Sequence, residues 1–463
     1  MSRYKLSLLS LAASLASLPG VSFSAFDTAT PFIDDTKLGG KLRTVYYNVE
    51  DTYDKDQGRK PYRAGAWTGA AQVNLQSGYF EEILAVGASV YGVAKLSYDS
   101  DKFKDSYQLL KGDGDKEKGF SKLGQVWIDL KFGQEKAVFN GHAKIGRQSL
   151  YAGLISSSGS RSVPSTWQGV NFEASLYQIN FKVAYVDKMS LRNEDEFNDL
   201  TNFENKKIDY IIGGEVGHTF SLSNDQTLKL KYRNAFSKDF LQAHNGDISW
   251  SIPLAEKTRL TLGGMLYYTK ENGNLWTGDV WGKKSFDKDA TAGNLNATLD
   301  VGGWSFEAAV STFKAEAKTA MLKEGKSYAA PAVYYYDLGK NTHGIWGVPT
   351  SGFAEDMLYD GETAWKLGFS YDFTTLGAKG LQLGYAYHYG TGMKVTDRNG
   401  DKKKVSEYEH DVFIKYAFPE EILKGLEFKL KYGMYRNDKE LREAISKEES
   451  DLRVWLDYNF TLL

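Results

Sequence analysis

The stretch LRVWLDYNFTLL, residues 452–463, alternates without a break. Leu452, Val454, Leu456, Tyr458, Phe460 and Leu462 form one apolar set, while Arg453, Trp455, Asp457, Asn459 and Thr461 form a mostly polar one. Successive side chains of a β-strand point to opposite faces, so a strict period of two describes a strand between two different surroundings. A strand of a soluble sandwich reads the same way. The rest of the chain decides whether the apolar face meets a protein core or lipid.

The pattern recurs from Leu38 onward. TLKLKYR (227–233) sets Leu228, Leu230 and Tyr232 against Lys229, Lys231 and Arg233, and LEFKLKYGMY (426–435) sets Phe428, Leu430, Tyr432 and Met434 against Glu427, Lys429 and Lys431. QVWIDLKF, INFKVAY, TRLTLGGML, AWKLGFSYDF and LQLGYAYHY repeat it, giving about eighteen segments whose ends are placed to within a few residues. Their connections sort by parity. Short ones at 177–178, 221–226 and 301–303 alternate with long, charged ones at 99–121, 187–206 and 314–360. Tight turns on one rim and long loops on the other are the habit of an outer-membrane barrel, and a sandwich has no reason to sort its loops this way. An even strand number places both termini on the rim with the tight turns.

Composition agrees. The 463 residues include 30 Tyr, 25 Phe and 46 Gly but only 8 Pro, a mixture of strand formers and turn residues. Beyond the N-terminus no stretch is apolar enough for a transmembrane helix. A net charge of -2, with basic residues scattered along the chain, argues against a nucleic-acid partner. The chain has no Cys, so it uses neither disulfides nor thiolate metal sites. MSRYKLSLLSLAASLASLPGVSFSA, residues 1–25, has the basic, apolar, small-residue order of a secretory signal peptide, with Arg3 and Lys5 leading and the mature chain starting near Ala25 or Phe26.

The charges supply a further test. A lipid-facing Arg or Lys at the bilayer midplane costs about 2–4 kcal/mol, so charged strand positions belong to a wet lumen and their neighbours to lipid. By this parity Leu456 and Tyr458 face lipid, whereas Arg453 and Asp457 face water. Asp129, Glu173, Glu307 and Asp372 fall on the lumen side. Trp127 and Trp455 share that parity, placed to stack on sugar rings in this register and to face lipid if it slips by one residue. The expected fold is an all-β, antiparallel, up-and-down transmembrane barrel of about 18 strands, closed because an open strand edge cannot exist in hydrocarbon.

Two stretches then resemble the OprD family of outer-membrane porins, which includes substrate-selective channels and chitoporins. In DGETAWKLGFSYDFTTLGAKGLQLGYAYHYGTG (360–392) the matching residues are Glu362, Trp365, Tyr371-Asp372-Phe373, Gly380-Leu381, Tyr387 and Gly390. In IGRQSLYAGLISSSGSRSVPSTWQGV (145–170), similar to the family's third extracellular loop, they are Gly146, Arg161, Pro164, Thr166, Trp167 and Gly169. FIDD (32–35) is similar to the family's mature N-terminus. The chain departs from such barrels by ending in Leu rather than an aromatic residue. The resemblance implies an eighteen-stranded barrel over residues 26–463 in the outer membrane of a Gram-negative bacterium, narrowed by an inward-folded loop around 148–168. It also implies a basic ladder on one wall of the pore.

Candidate pore-lining residues are Arg161, Ser158 and Ser160 on the loop, and Lys229, Lys231, Arg233, Lys429, Lys431, Arg453 and Asp457 on the strands. Arg161 is expected at the constriction, with loop packing as its other reading. GDGDKEKG (112–119) and DRNGD (397–401) carry spaced acids but lack a complete calcium loop, and the six His show no metal-binding spacing. No metal, cofactor or catalytic residue is expected, and no GxSxG motif occurs. The expected function is passive, semi-selective diffusion of amino acids, small carboxylates or oligosaccharides, with a chitooligosaccharide porin as an alternative. A loop-mediated surface receptor or adhesin with a sealed barrel is the alternative of another class. Expected partners are small hydrophilic solutes and outer-membrane lipid, with the chain a monomer or a homotrimer.

Overall fold

The computed structural model describes residues 31–53, 62–112, 116–133, 138–317, 322, 325–343, 347–419 and 423–463. The proposed signal peptide, residues 1–25, lies outside the described residues, as do residues 113–115 of the GDGDKEKG loop. Among the described residues, eighteen strands build one closed antiparallel barrel. They are β1 (Lys37–Asp51), β2 (Trp67–Gln76), β3 (Leu84–Ser97), β4 (Phe120–Gly133), β5 (Phe139–Gln148) and β6 (Thr166–Leu176). Then come β7 (Ile179–Ser190), β8 (Ile211–Ser221), β9 (Thr227–Ser237), β10 (Leu241–Ala255), β11 (Thr258–Glu271) and β12 (Asp289–Val301). The circle finishes with β13 (Trp304–Ala315), β14 (Thr363–Asp372), β15 (Leu381–Asp397), β16 (Lys402–Ala417), β17 (Leu426–Asn437) and β18 (Glu449–Thr461).

Each strand pairs with the next, and β18 returns to β1 in a continuous register from Gly39 opposite Thr461 to Asp51 opposite Glu449. Closure leaves no strand edge for lipid to meet. The rims sort as expected. Tyr177 and Gln178 take φ of 48° and 68° in a two-residue hairpin turn of the mirrored type that suits strand twist. The 316–362 loop leaves the other rim. That rim has two exceptions to the long-loop habit, the three-residue connection 238–240 between β9 and β10 and the four-residue connection 398–401 between β15 and β16.

Burial follows the period of two. On β12 Leu295 is 68 % exposed and its neighbour Asn294 only 5 %. Leu456 and Tyr458 lie on the exposed outer face, and Trp455 between them and Leu452 is buried on the inner one. A register shift at Ser89 and Val90 in the β3–β4 ladder interrupts the parity, so Lys122 and Trp127, five residues apart, both turn inward.

The outer half of the lumen is filled by loops. Inward positions near the outer ends of the strands are alanines, among them Ala235, Ala243, Ala290, Ala292, Ala315 and Ala364, and these leave room for a core. Leu154 and Ile155 of the 149–165 loop, with Tyr334, Tyr336 and Met357 of the 316–362 loop, pack against them. Each such aliphatic or aromatic side chain gains about 1.5–3 kcal/mol by leaving water, which holds both loops inside the barrel. The fit is close. Gly153 takes φ of 59°, and a Cβ there would lie 2.2 Å from the Asn234 carbonyl oxygen of β9.

Candidate pore constriction

The 149–165 loop is pinned at its root before its tip crosses the lumen. Trp167 Nε1 donates to Ser156 O at 2.9 Å, and Leu154 N donates to Asn234 O at 3.1 Å. Ser165 N donates to Ser158 O at 2.9 Å while Ser158 N donates to Ser165 Oγ at 2.8 Å, closing the segment between them. The tip, Ser158 to Arg161, then reaches the β1–β18 wall. Arg43 Nη1 donates to Gly159 O and Arg161 O, each at 2.7 Å, and Tyr47 Oη donates to Ser160 O at 2.5 Å.

Four arginines gather at this tip. Arg161, 8 % exposed, donates from Nε to Tyr107 O at 2.9 Å and holds its guanidinium 4.9 Å from the ring centres of both Tyr47 and Tyr107. It is therefore a packed cation at the tip of the inward loop. Arg192 donates from Nη1 to Ser158 Oγ at 3.0 Å and Ser160 Oγ at 2.8 Å, and from Nη2 to Gln108. Arg43 forks onto Asp457 at 2.6 Å, and Arg453 is paired with Asp451 on its own strand. Among the described residues neither Arg161 nor Arg192 has a carboxylate partner, so the tip carries uncompensated positive charge.

The second inward loop meets the same region from the side of β16. Phe353 N and Ala354 N each donate to Glu409 Oε1 at 2.7 Å, and Glu355 N donates to Glu409 Oε2 at 2.9 Å. Arg453 Nη2 donates to Phe353 O at 3.1 Å, and Lys431 Nζ sits 3.8 Å from the Phe353 ring centre. Burial works to raise the Glu355 carboxyl, but the ammonium groups of Lys283 and Lys447 outweigh it and hold it at about 2. Glu362, at the foot of this loop, meets Glu407 of β16 above Gly390, where an added Cβ would lie 1.8 Å from Glu362 Oε1. Beneath Phe353 opens a chamber of about 600 Å³ whose wall includes Lys366, Lys415, Lys429 and Lys431.

The expected single basic ladder is divided. Lys229, Lys231 and Arg233 stand on β9, halfway round the barrel from Arg453 and Asp457 on β18, while Lys429 and Lys431 stand on β17 beside them. Parity tells which face a residue takes but not its place around the ring. The β9 group is also partly neutralised, Lys231 by Glu215 at 3.3 Å and Arg233 by Asp247 at 3.7 Å. The inward acids are similarly engaged. Asp129 faces His142 at 3.0 Å, Glu173 faces Lys182 at 2.9 Å, Glu307 faces Lys366 at 2.5 Å, and Asp372 caps the turn at Thr374 N at 2.8 Å. In DRNGD the Asp397 carboxylate accepts the N–H groups of Asn399 and Asp401 at 2.8 and 2.9 Å. Arg43 and Arg192 did not stand out from the sequence, although Arg43 shares the inward parity of Tyr47.

Over residues 30–462 the chain matches the profile of the outer membrane porins of the OprD family. The chain belongs to the OprD family. Solved structures with this barrel include Pseudomonas aeruginosa OccK9 (OpdG), at 19 % identity and a TM-score of 0.73, covering 94 % of this chain and 100 % of that one. Acinetobacter baumannii OccAB1 follows at 20 % identity and a TM-score of 0.75, covering 94 % and 99 %. Pseudomonas aeruginosa OpdK, solved with vanillate, has 18 % identity and a TM-score of 0.70, covering 93 % and 100 %. No curated protein matches the chain. This OprD-family porin is thus a channel-forming β-barrel of the Gram-negative outer membrane, a fold that passes small hydrophilic solutes.

Proposed function

We propose that this porin is a semi-selective diffusion channel that favours small carboxylates and zwitterions such as amino acids. The observation that carries this reading is the uncompensated pair Arg161 and Arg192 around Ser158 and Ser160 at the tip of the inward loop. A guanidinium in a partly desolvated passage attracts an oxyanion more strongly than it does in bulk water, and its planar fork matches a carboxylate. Conduction also requires release, which the mixed charges of the chamber below Phe353 assist by offering weaker alternative contacts. Vanillate, with which one structural neighbour was solved, is itself a carboxylate.

The oligosaccharide reading has less support because the aromatic faces it needs are covered. Tyr47 and Tyr107 lie under Arg161, Trp127 lies under Lys144 at 4.2 Å, and Trp455 meets the edge of Tyr47 at 5.4 Å and Lys429 at 5.5 Å. Liposome swelling with a panel of basic amino acids, small carboxylates and chitooligosaccharides tests the proposal. Carboxylates and zwitterions should enter faster than neutral sugars of similar size, and faster entry of chitooligosaccharides would reverse the assignment.

A further inference from the structure

Three consecutive carbonyls at the loop tip point the same way. Gly159 O and Arg161 O are both received by Arg43 Nη1 at 2.7 Å, and Ser160 O is received by Tyr47 Oη at 2.5 Å and Trp455 Nε1 at 3.4 Å. All three receiving side chains belong to the β1–β18 wall. In a trans peptide the C=O and N–H vectors are antiparallel, so the N–H groups of Ser160 and Arg161 are directed away from that wall, and that of Ser162, a fully buried residue, is covered. Arg43 adds little charge of its own. Its Nε and Nη2 are spent on Asp457 at 2.6 Å each, and Lys41 approaches the same carboxylate at 3.5 Å.

We propose that Arg43 is a positioning residue that sets the charge preference of the pore by holding the carbonyls of Gly159 and Arg161 against the wall. Each peptide carries a dipole of about 3.5 D, and a tip free to turn would present some of its negative carbonyl ends to the passage. Fixed as it is, the tip offers N–H groups and the guanidinium groups of Arg161 and Arg192. The clamp needs the arginine fork, because one planar group must serve a carboxylate with one edge and two carbonyls with another. A lysine keeps the charge and cannot span all four oxygens. Tyr47 completes the clamp without contributing charge. The inference rests on the anion-preferring reading of the pore.

The test is the reversal potential of the purified, folded porin in planar bilayers under a KCl gradient, for the parent, Arg43→Lys, Arg43→Gln and Tyr47→Phe. Heat-modifiable migration checks that each barrel has folded. With Arg43 acting as a clamp, Arg43→Lys lowers the anion-to-cation permeability ratio as far as Arg43→Gln does, by roughly half or more, and Tyr47→Phe moves it the same way by less. If Arg43→Lys behaves as the parent while Arg43→Gln shifts, charge and not position is what matters, and the proposal is overturned. It is overturned equally if none of the three shifts the ratio of an anion-preferring parent. A parent without anion preference instead removes the underlying functional reading. Should the Arg43 variants fail to fold, Tyr47→Phe decides alone, since an unchanged ratio contradicts the clamp.

Discussion

The Arg161 guanidinium lies 4.9 Å from the ring centre of Tyr47, with Nη1 3.3 Å from the tyrosine oxygen, so the charge at the tip of the inward loop is carried on a packed, oriented side chain. A loop cation of this kind acts on permeating ions continuously, because it does not swing into the screening bath. Stacking on an aromatic face contributes about 0.5–2 kcal/mol to keeping it there.

Reversing that charge should therefore change permeation directly. Arg161→Glu is expected to move the reversal potential under a salt gradient toward cation preference and to alter single-channel conductance. Lys403→Glu, at an exposed outer position beside Glu440, should do much less. Equal shifts from the two variants would place the narrowest part of the pore elsewhere.

The two faces of β9 should respond oppositely to substitution. Leu230 is an exposed residue of the lipid face, and Arg there should cost about 2–4 kcal/mol and reduce membrane assembly. Lys231 faces Glu215 inside the barrel, and Lys231→Gln should leave assembly nearly unchanged. The yield of heat-modifiable folded barrel measures both. A similar loss from each would contradict the register.

The foot of the 316–362 loop should respond to pH. Burial pushes the Glu362 carboxyl from the usual 4.5 up to about 8, with Glu407 beside it. Because the folded value is the higher one, the folded loop holds a proton that a released one gives up. Its stabilising contribution is complete below about 4.5 and is lost as pH rises through about 8. Current fluctuations in single-channel records should grow between pH 6 and pH 9, and Glu407→Gln, whose amide can donate to the ionised Glu362, should suppress that growth. Records that stay equally quiet across the range would show that the carboxyl pair does not govern the loop.

Much of this architecture is legible in the chain because lipid and water impose opposite demands on alternate residues. Leu295 beside Asn294, and Leu456 beside Trp455, declare their faces without reference to any distant contact. The candidate constriction was readable only in part. Arg161 lies within a recognisable motif, but Arg43 meets the loop tip across 116 residues, and no period along a strand reports such an approach. Arg192 sits in a loop, where alternation has no meaning. The alanines at the outer ends of the strands were a signal that could have been used, since small inward residues mark where loops must enter. Strand number would likewise have separated Lys231 from Lys431, which share a parity but not a wall.

The central claim, that the barrel encloses a passage and not a sealed platform for its outer loops, is tested most directly by conductance of the purified, folded protein in planar bilayers. Discrete current steps with anion preference, partly blocked by adding a small carboxylate to one side, are the predicted result. A correctly folded barrel that inserts and never conducts would contradict it, and would leave the long loops to serve as a surface receptor or adhesin.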